Sequence, residues 1–87
     1  MNEKEAEKIL KALANKRRLA IVRALKRGEL SVGDIADKIH LSFKSTSRHL
    51  TILASADILD KEQKSTQIFY RLSSTLPALA RDVISHL

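Results

Sequence analysis

Lys44, Ser47, Arg48 and Thr51 stand on one side of a helical projection, and between His40 and Ala56 the sequence contains no carboxylate. A solvated helix face usually mixes the signs of its charges. One that offers only donors and cations can hydrogen-bond phosphate oxygens and base edges without repelling a polyanion. At about 100° per residue the opposite side of the same segment carries Thr46, Leu50 and Leu53, an inner stripe able to seat the helix on a core.

The preceding segment has the matching half of the pattern. Val32, Ile35, Ala36 and Ile39 fall at i, i+3, i+4 and i+7, with Asp34, Asp37 and Lys38 turned away. Ser31 is placed to cap that helix, and Asp34 puts a carboxylate in its first turn, where exposed amides favour negative charge. His40, Leu41 and Ser42 form the turn, with Leu41 as an apolar plug and Ser42 as the cap of the second helix. Two short amphipathic helices about a tight turn, the second with a donor-rich outer face, have the layout of a DNA-reading helix-turn-helix.

The remaining elements frame this pair. Ala6, Ile9, Leu10 and Leu13 define an amphipathic first helix. Asn15 can cap the next, which runs through Leu19, Val22 and Leu25 until Gly28 stops it. After an interruption at Asp57, Leu59 to Glu62 and Gln67 to Leu72 are expected as two strands joined by Gln63, Lys64, Ser65 and Thr66, a hairpin or wing. Ile68, Tyr70 and Leu72 alternate with Gln67, Phe69 and Arg71, the signature of a half-buried strand, and the two aromatics are expected to pack rather than stack on bases. Pro77 suits the first turn of a last helix whose Leu76, Leu79, Ala80, Val83, Ile84 and Leu87 are too apolar to stay exposed. The expected fold is mainly α with a β-hairpin wing, ordered α-α-α-α-β-β-α, in one domain over residues 1–87. No internal repeat or linker points to a second.

Eighty-seven residues with a formal charge of +6 bound the function further. So short a chain buries only about 60 to 65% of its unfolded surface, and association with a second copy would strengthen it. Without cysteine there is no disulfide, thiolate metal site or thiol sensor, which fits a cytoplasmic protein. The charged N-terminus and the lack of a long apolar run argue against a secretory signal and a membrane span. Residues 15 to 30 hold Lys16, Arg17, Arg18, Arg23, Lys26 and Arg27 against Glu29 alone, so the positive charge is focused and favours a polyanionic partner.

The segments LKALANKRRLAIVRAL and GELSVGDIADKIHLSFKSTSRHLTIL, with a wing ending IFYRLS, resemble the ArsR family of winged-helix transcriptional repressors from about Leu10 to Ser73. The resemblance implies a homodimer joined through its first and last helices, a helix-turn-helix that occupies an operator in double-stranded DNA, and an inducer, not identified by the sequence, that releases it. Its base-contacting positions fall on Phe43, Lys44, Ser47 and Arg48, with the wing tip at Lys64 and Ser65. Together with Ser45 and Thr51 these are the expected DNA contacts, with Arg17 and Arg18 as further phosphate partners. Ile9, Leu13, Val83, Ile84 and Leu87 are the expected dimer contacts. Phe43 stands where the family often has glutamine, exchanging a bidentate base reader for an apolar group suited to a thymine methyl. Asp57 stands where the family often has glycine, and a shifted helix boundary is expected there.

Many members bind thiophilic metals through cysteines in an ELCVCD stretch. Here the stretch is ELSVGD, with Ser31 and Gly33 in the cysteine positions, so neither metal nor cofactor is expected. Asp82 and His86 at i, i+4 are either a surface pair or half of a site shared across a dimer. His49 leans toward the inner stripe as a packed or backbone-bonded residue, with base reading as the alternative. Ser47 with His49, and Ser85 with His86, lack a third group, so an enzyme is not expected. A transcriptional regulator competes with one other reading, a protein-interaction module that keeps the winged scaffold without specific DNA binding.

Overall fold

The structure, a computed structural model, describes residues 1–87. Its elements are α1 (Glu3–Leu13), α2 (Lys16–Leu25), β1 (Leu30–Ser31), α3 (Val32–Ile39), α4 (Phe43–Ser55), β2 (Leu59–Lys64), β3 (Gln67–Leu72) and α5 (Ala78–Ser85).

Short polar side chains start the first four helices. Asn2 accepts from the Glu5 amide at 2.8 Å, and Asn15 from the amides of Arg17 and Arg18 at 2.9 and 3.1 Å. Ser31 and Ser42 each accept from the amide three residues on, at 3.1 Å. Each such bond satisfies a backbone donor that has no partner inside its helix. Pro77 stands just before α5 and makes no side-chain cap bond.

Two helices end through left-handed residues that are not glycine. At the end of α3, His40 (φ 55°) donates to Asp37 O and Leu41 donates to Ala36 O. At the end of α4, Asp57 (φ 61°) donates to Ala54 O, and Ile58 donates to Leu53 O at 3.1 Å. Ile58 and Leu53 are both fully buried, the apolar contact that accompanies this type of helix stop. The boundary shift expected at Asp57 therefore does not occur. Asp57 takes the conformation a glycine would take, and burial of Ile58 offsets a left-handed penalty of about 1–2 kcal/mol.

The core joins all five helices to the sheet. Ile9, Ala12 and Leu13 meet Ile21, Val22 and Leu25, while Ile35, Leu50 and Leu53 connect the helix-turn-helix to them. Thr46, Leu50 and Leu53 have no exposed surface, as the inner stripe of α4 requires. Ala80 and Ile84 seat α5 on the same core. Ile9, Leu13 and Ile84, expected as an exposed dimer patch, are only 5, 3 and 4% accessible in the single chain. They pack within the protomer, and the expectation that they would otherwise lie open is corrected. Leu10, at 47%, is the residue of α1 that remains apolar and exposed, while Val83 and Leu87 are half-buried.

The sheet has three antiparallel strands in the order β1-β3-β2. β2 runs two residues further than expected, to Lys64, which pairs with Gln67, so the turn is only Ser65 and Thr66, with Ser65 at φ 58°. β1, too short to show alternation in the sequence, pairs Leu30 with Tyr70 and Ser31 with Phe69. It fastens the wing to the start of α3. Tyr70 is buried as expected, but Ile68 is 39% exposed because the outer half of the hairpin extends past the core.

Candidate nucleic-acid interface

With its inner stripe seated on the core, α4 presents Lys44, Arg48 and Thr51 outward and leaves Ser45 and Ser47 half-buried on its flanks. Phe43, in the first turn, is 62% exposed. Neither Lys44 nor Arg48 takes part in any of the chain's four ion-pair contacts. The Thr51 hydroxyl donates to Ser47 O at 3.0 Å, so its own donor is already used and its oxygen remains an acceptor. Between α4 and the wing lies an open cleft of about 370 Å³ bordered by Phe43, Ser47 and Thr51 on one side and Lys61, Gln67 and Ile68 on the other. The sequence did not single out the last three, since their role depends on how the hairpin stands against α4.

Arg17 and Arg18, expected to act alike, are separated by the structure. Arg18 donates from Nε to Ala12 O at 2.5 Å, from Nη2 to Lys11 O at 3.1 Å and from Nη1 toward His49 Nδ1 at 3.2 Å. It closes the end of α1 and ties it to α4, so its assignment to a phosphate is corrected. Arg17 has no side-chain partner and is exposed. His49 is thus a structural acceptor. A guanidinium cannot accept, so Nδ1 must be unprotonated, which leaves the ring neutral with its proton on Nε2. Burial pushes the His49 pKa below its usual value, and the positive charges of Arg18, Arg17 and Arg48 push it the same way.

On the wing the cations are paired. Lys64 Nζ lies 2.5 Å from Glu29 Oε1, and Arg71 Nη1 lies 3.3 Å from Glu29 Oε2 and 3.2 Å from Glu62 Oε1. Lys64 also sits over the Phe69 ring, 4.9 Å from its centre. The hydrogen bond from Lys64 is the main influence holding the Glu29 carboxyl below its usual range, and the Glu29 hydrogen bond raises Lys64 in return. Glu29 is positioned by the Gly28 turn, whose φ of 134° suits glycine. It is the single acid among residues 15 to 30, and that isolation was the one sequence signal for its role. Ser65 occupies the hairpin turn without a side-chain bond, exposed.

The donors at the family's cysteine metal positions do not suit a thiophilic metal. Ser31 Oγ accepts the α3 capping bond and Gly33 has no side chain. Asp82 and His86 lie exposed on and just after α5, and no three His, Asp or Glu side chains converge. No helix is long and apolar enough to cross a membrane.

Residues 15–61 match the family described as "Bacterial regulatory protein, arsR family". Over 74 residues the chain is 39% identical to the transcriptional activator HlyU of Vibrio cholerae, covering 85% of this chain and 68% of that protein. The V. cholerae HlyU structure superposes with a TM-score of 0.84 at 33% identity, covering 99% of this chain and 92% of that one. The transcriptional repressor SdpR of Bacillus subtilis is 35% identical over 68 residues, 78% of this chain and 76% of that protein. A homodimeric winged helix-turn-helix DNA-binding domain of Mb0332 from Mycobacterium bovis gives a TM-score of 0.83 at 26% identity, over 95% of this chain and 74% of the other.

Proposed function

The chain belongs to the ArsR family of bacterial regulatory proteins, and from that premise we propose that it binds an operator as a homodimer and represses by occluding it. That it is a transcriptional regulator with a DNA-binding winged helix-turn-helix, and not an enzyme, follows from the family. The observation that carries the finer reading is the outer face of α4, where Lys44 and Arg48 stand unpaired on a segment free of acid, beside an open cleft to the wing. α4 enters the major groove. Arg48 or Lys44 donates to guanine O6 and N7, Ser47 contacts a neighbouring edge, and Phe43 meets a thymine methyl. Ser45 and Ser65 lie against the sugar-phosphate backbone, Thr51 joins them by turning its hydroxyl from Ser47 O, and Lys64 reaches a phosphate after exchanging Glu29 for it.

The homodimer forms through α1 and α5, with Leu10, Val83 and Leu87 supplying accessible apolar surface and Ile9, Leu13 and Ile84 backing it from within. The Mb0332 domain, described as homodimeric, supports a homodimer. A dimer turns two α4 helices toward half-sites about one helical turn apart. Without thiolate at Ser31 and Gly33, thiophilic metals do not govern release. Zinc, cadmium or arsenite should leave operator affinity unchanged, whereas a loss with zinc that is abolished by His86→Ala would point to the last helix.

Selection from a degenerate duplex pool, with sedimentation of the protein at micromolar concentration, tests the proposal. One enriched palindrome and a dimeric species are expected. A monomer with no enriched sequence would support the interaction-module reading instead.

A further inference from the structure

α2 and the end of α3 enclose a second basic feature, apart from the α4 face. Lys16, Arg17, Arg23, Arg27 and Lys38 line a trough of about 680 Å³, and His40 closes its end toward α4. No acidic residue borders it, and none of the five cations enters an ion pair. The chain does pair cations elsewhere, at Lys11, Lys64 and Arg71. Five like charges around one trough repel one another, and an anionic occupant relieves that cost.

The shape of the trough selects the occupant. From Lys16 to Leu25 α2 advances about 14 Å at 1.5 Å per residue, the length of roughly four nucleotides of one DNA strand, and Arg27 stands in the turn just beyond. Ala20 and Ala24 lie between the cations and keep the floor low, so a rod-like polyanion can approach the helix closely. A small anion would instead call for an enclosed pocket with convergent donors. One end of the trough lies near α4, although no α4 residue lines it. Arg17 belongs both to its wall and to the group of cations, with Arg48, that depresses the His49 pKa, and His40 stands three residues before α4 begins.

We propose that this trough docks the phosphate backbone of duplex DNA flanking each half-site, lengthening the footprint beyond the bases read by α4. The proposal rests on DNA binding by α4, and its test separates the two. The probes are a duplex carrying the selected palindrome with ten further base pairs on each side, and the same palindrome trimmed of its flanks. Wild type, Arg48→Ala and the triple variant Arg23→Ala/Arg27→Ala/Lys38→Ala are titrated on both across a salt series, with circular dichroism confirming that the exposed substitutions leave the fold intact.

The triple variant should flatten the salt dependence on the flanked duplex by about 0.9 per lost phosphate contact, close to three for each protomer and about five for the dimer. It should leave the trimmed duplex nearly unchanged, and Arg23→Lys/Arg27→Lys should restore the slope. An unchanged slope on the flanked duplex would overturn the proposal. So would equal losses on both duplexes, which would place these cations on the core site, or a shift of the wild-type melting temperature by millimolar inorganic phosphate with no effect of the triple variant on DNA. Failure of α4 reading has a different signature, namely Arg48→Ala binding both duplexes like wild type.

Discussion

The outer face of α4 and the wing, which border the cleft from opposite sides, both carry cations, yet they hold them in opposite states. Lys44 and Arg48 are unpaired, whereas Lys64 and Arg71 share Glu29 and Glu62. A free cation that meets a phosphate contributes its whole counterion-release gain; a paired one must first give up a carboxylate. The geometry of a rigid helix on a packed core suits directional base contacts. The exposed outer half of the hairpin, with its ion pairs, suits phosphate contacts that need no fixed direction.

The largest effect that would sharpen this contrast concerns Arg17 and Arg18, adjacent residues in the two different states. Arg18→Ala removes bonds to Lys11 O, Ala12 O and His49, and hydrogen bonds from charged groups are worth about 1.5–3 kcal/mol each when not exposed to solvent. Discounted for partial exposure, a loss of roughly 2–3 kcal/mol in urea unfolding is expected. Arg17→Ala should stay within about 0.5 kcal/mol of wild type in stability and weaken DNA binding instead. Similar destabilisation by both would erase the distinction.

Next comes the seating of α4. The buried Thr46 Oγ1 has no hydrogen-bond partner, so Thr46→Val keeps the shape and removes an unsatisfied group. A gain of about 1 kcal/mol in unfolding free energy is expected, with DNA affinity unaltered. A destabilised variant would mean that the hydroxyl is bonded.

On the wing, Glu29→Ala should release Lys64 while Arg71 stays paired with Glu62, tighten binding to scrambled and selected duplexes alike, and steepen the salt dependence by about one ion per protomer. If wild type and variant share one slope, Glu29 does not compete with DNA.

The smallest effect is a pH dependence. The His49 pKa lies below its ordinary 6.5 in the folded chain, so the unfolded chain takes up its proton first as the pH falls. The stability associated with neutral His49 is complete above 6.5 and is lost as the pH drops below that value. Urea midpoints across this window should fall less in His49→Gln, whose amide oxygen can still accept from Arg18.

Much of the fold was legible because its signals are local. Ser31, Ser42 and Asn15 announced helix starts by residue type, and Thr46, Leu50 and Leu53 announced the inner face of α4 by period. What stayed hidden depends on contacts between distant residues. The two-residue β1 exists only as a partner of β3, and the Glu29–Lys64 pair spans 35 positions. Asp57 looks less suited than glycine to a left-handed turn until the burial of Ile58 is known. The apolar faces of α1 and α5 looked like a dimer patch, but Ile9, Leu13 and Ile84 turn inward on their own protomer, a choice no single helical projection can reveal.

The claim that α4 reads sequence while the wing supplies only phosphate affinity is tested most directly by binding isotherms of wild type, Arg48→Ala and Lys64→Ala on selected and scrambled duplexes across a salt series. Arg48→Ala should lose about 1–3 kcal/mol on the selected duplex and much less on the scrambled one, with preference relaxed at one position of each half-site. Lys64→Ala should lower both affinities by the same factor and keep the ratio between them. Equal weakening of both duplexes by Arg48→Ala, or a wild-type protein that binds the two duplexes alike, would contradict it.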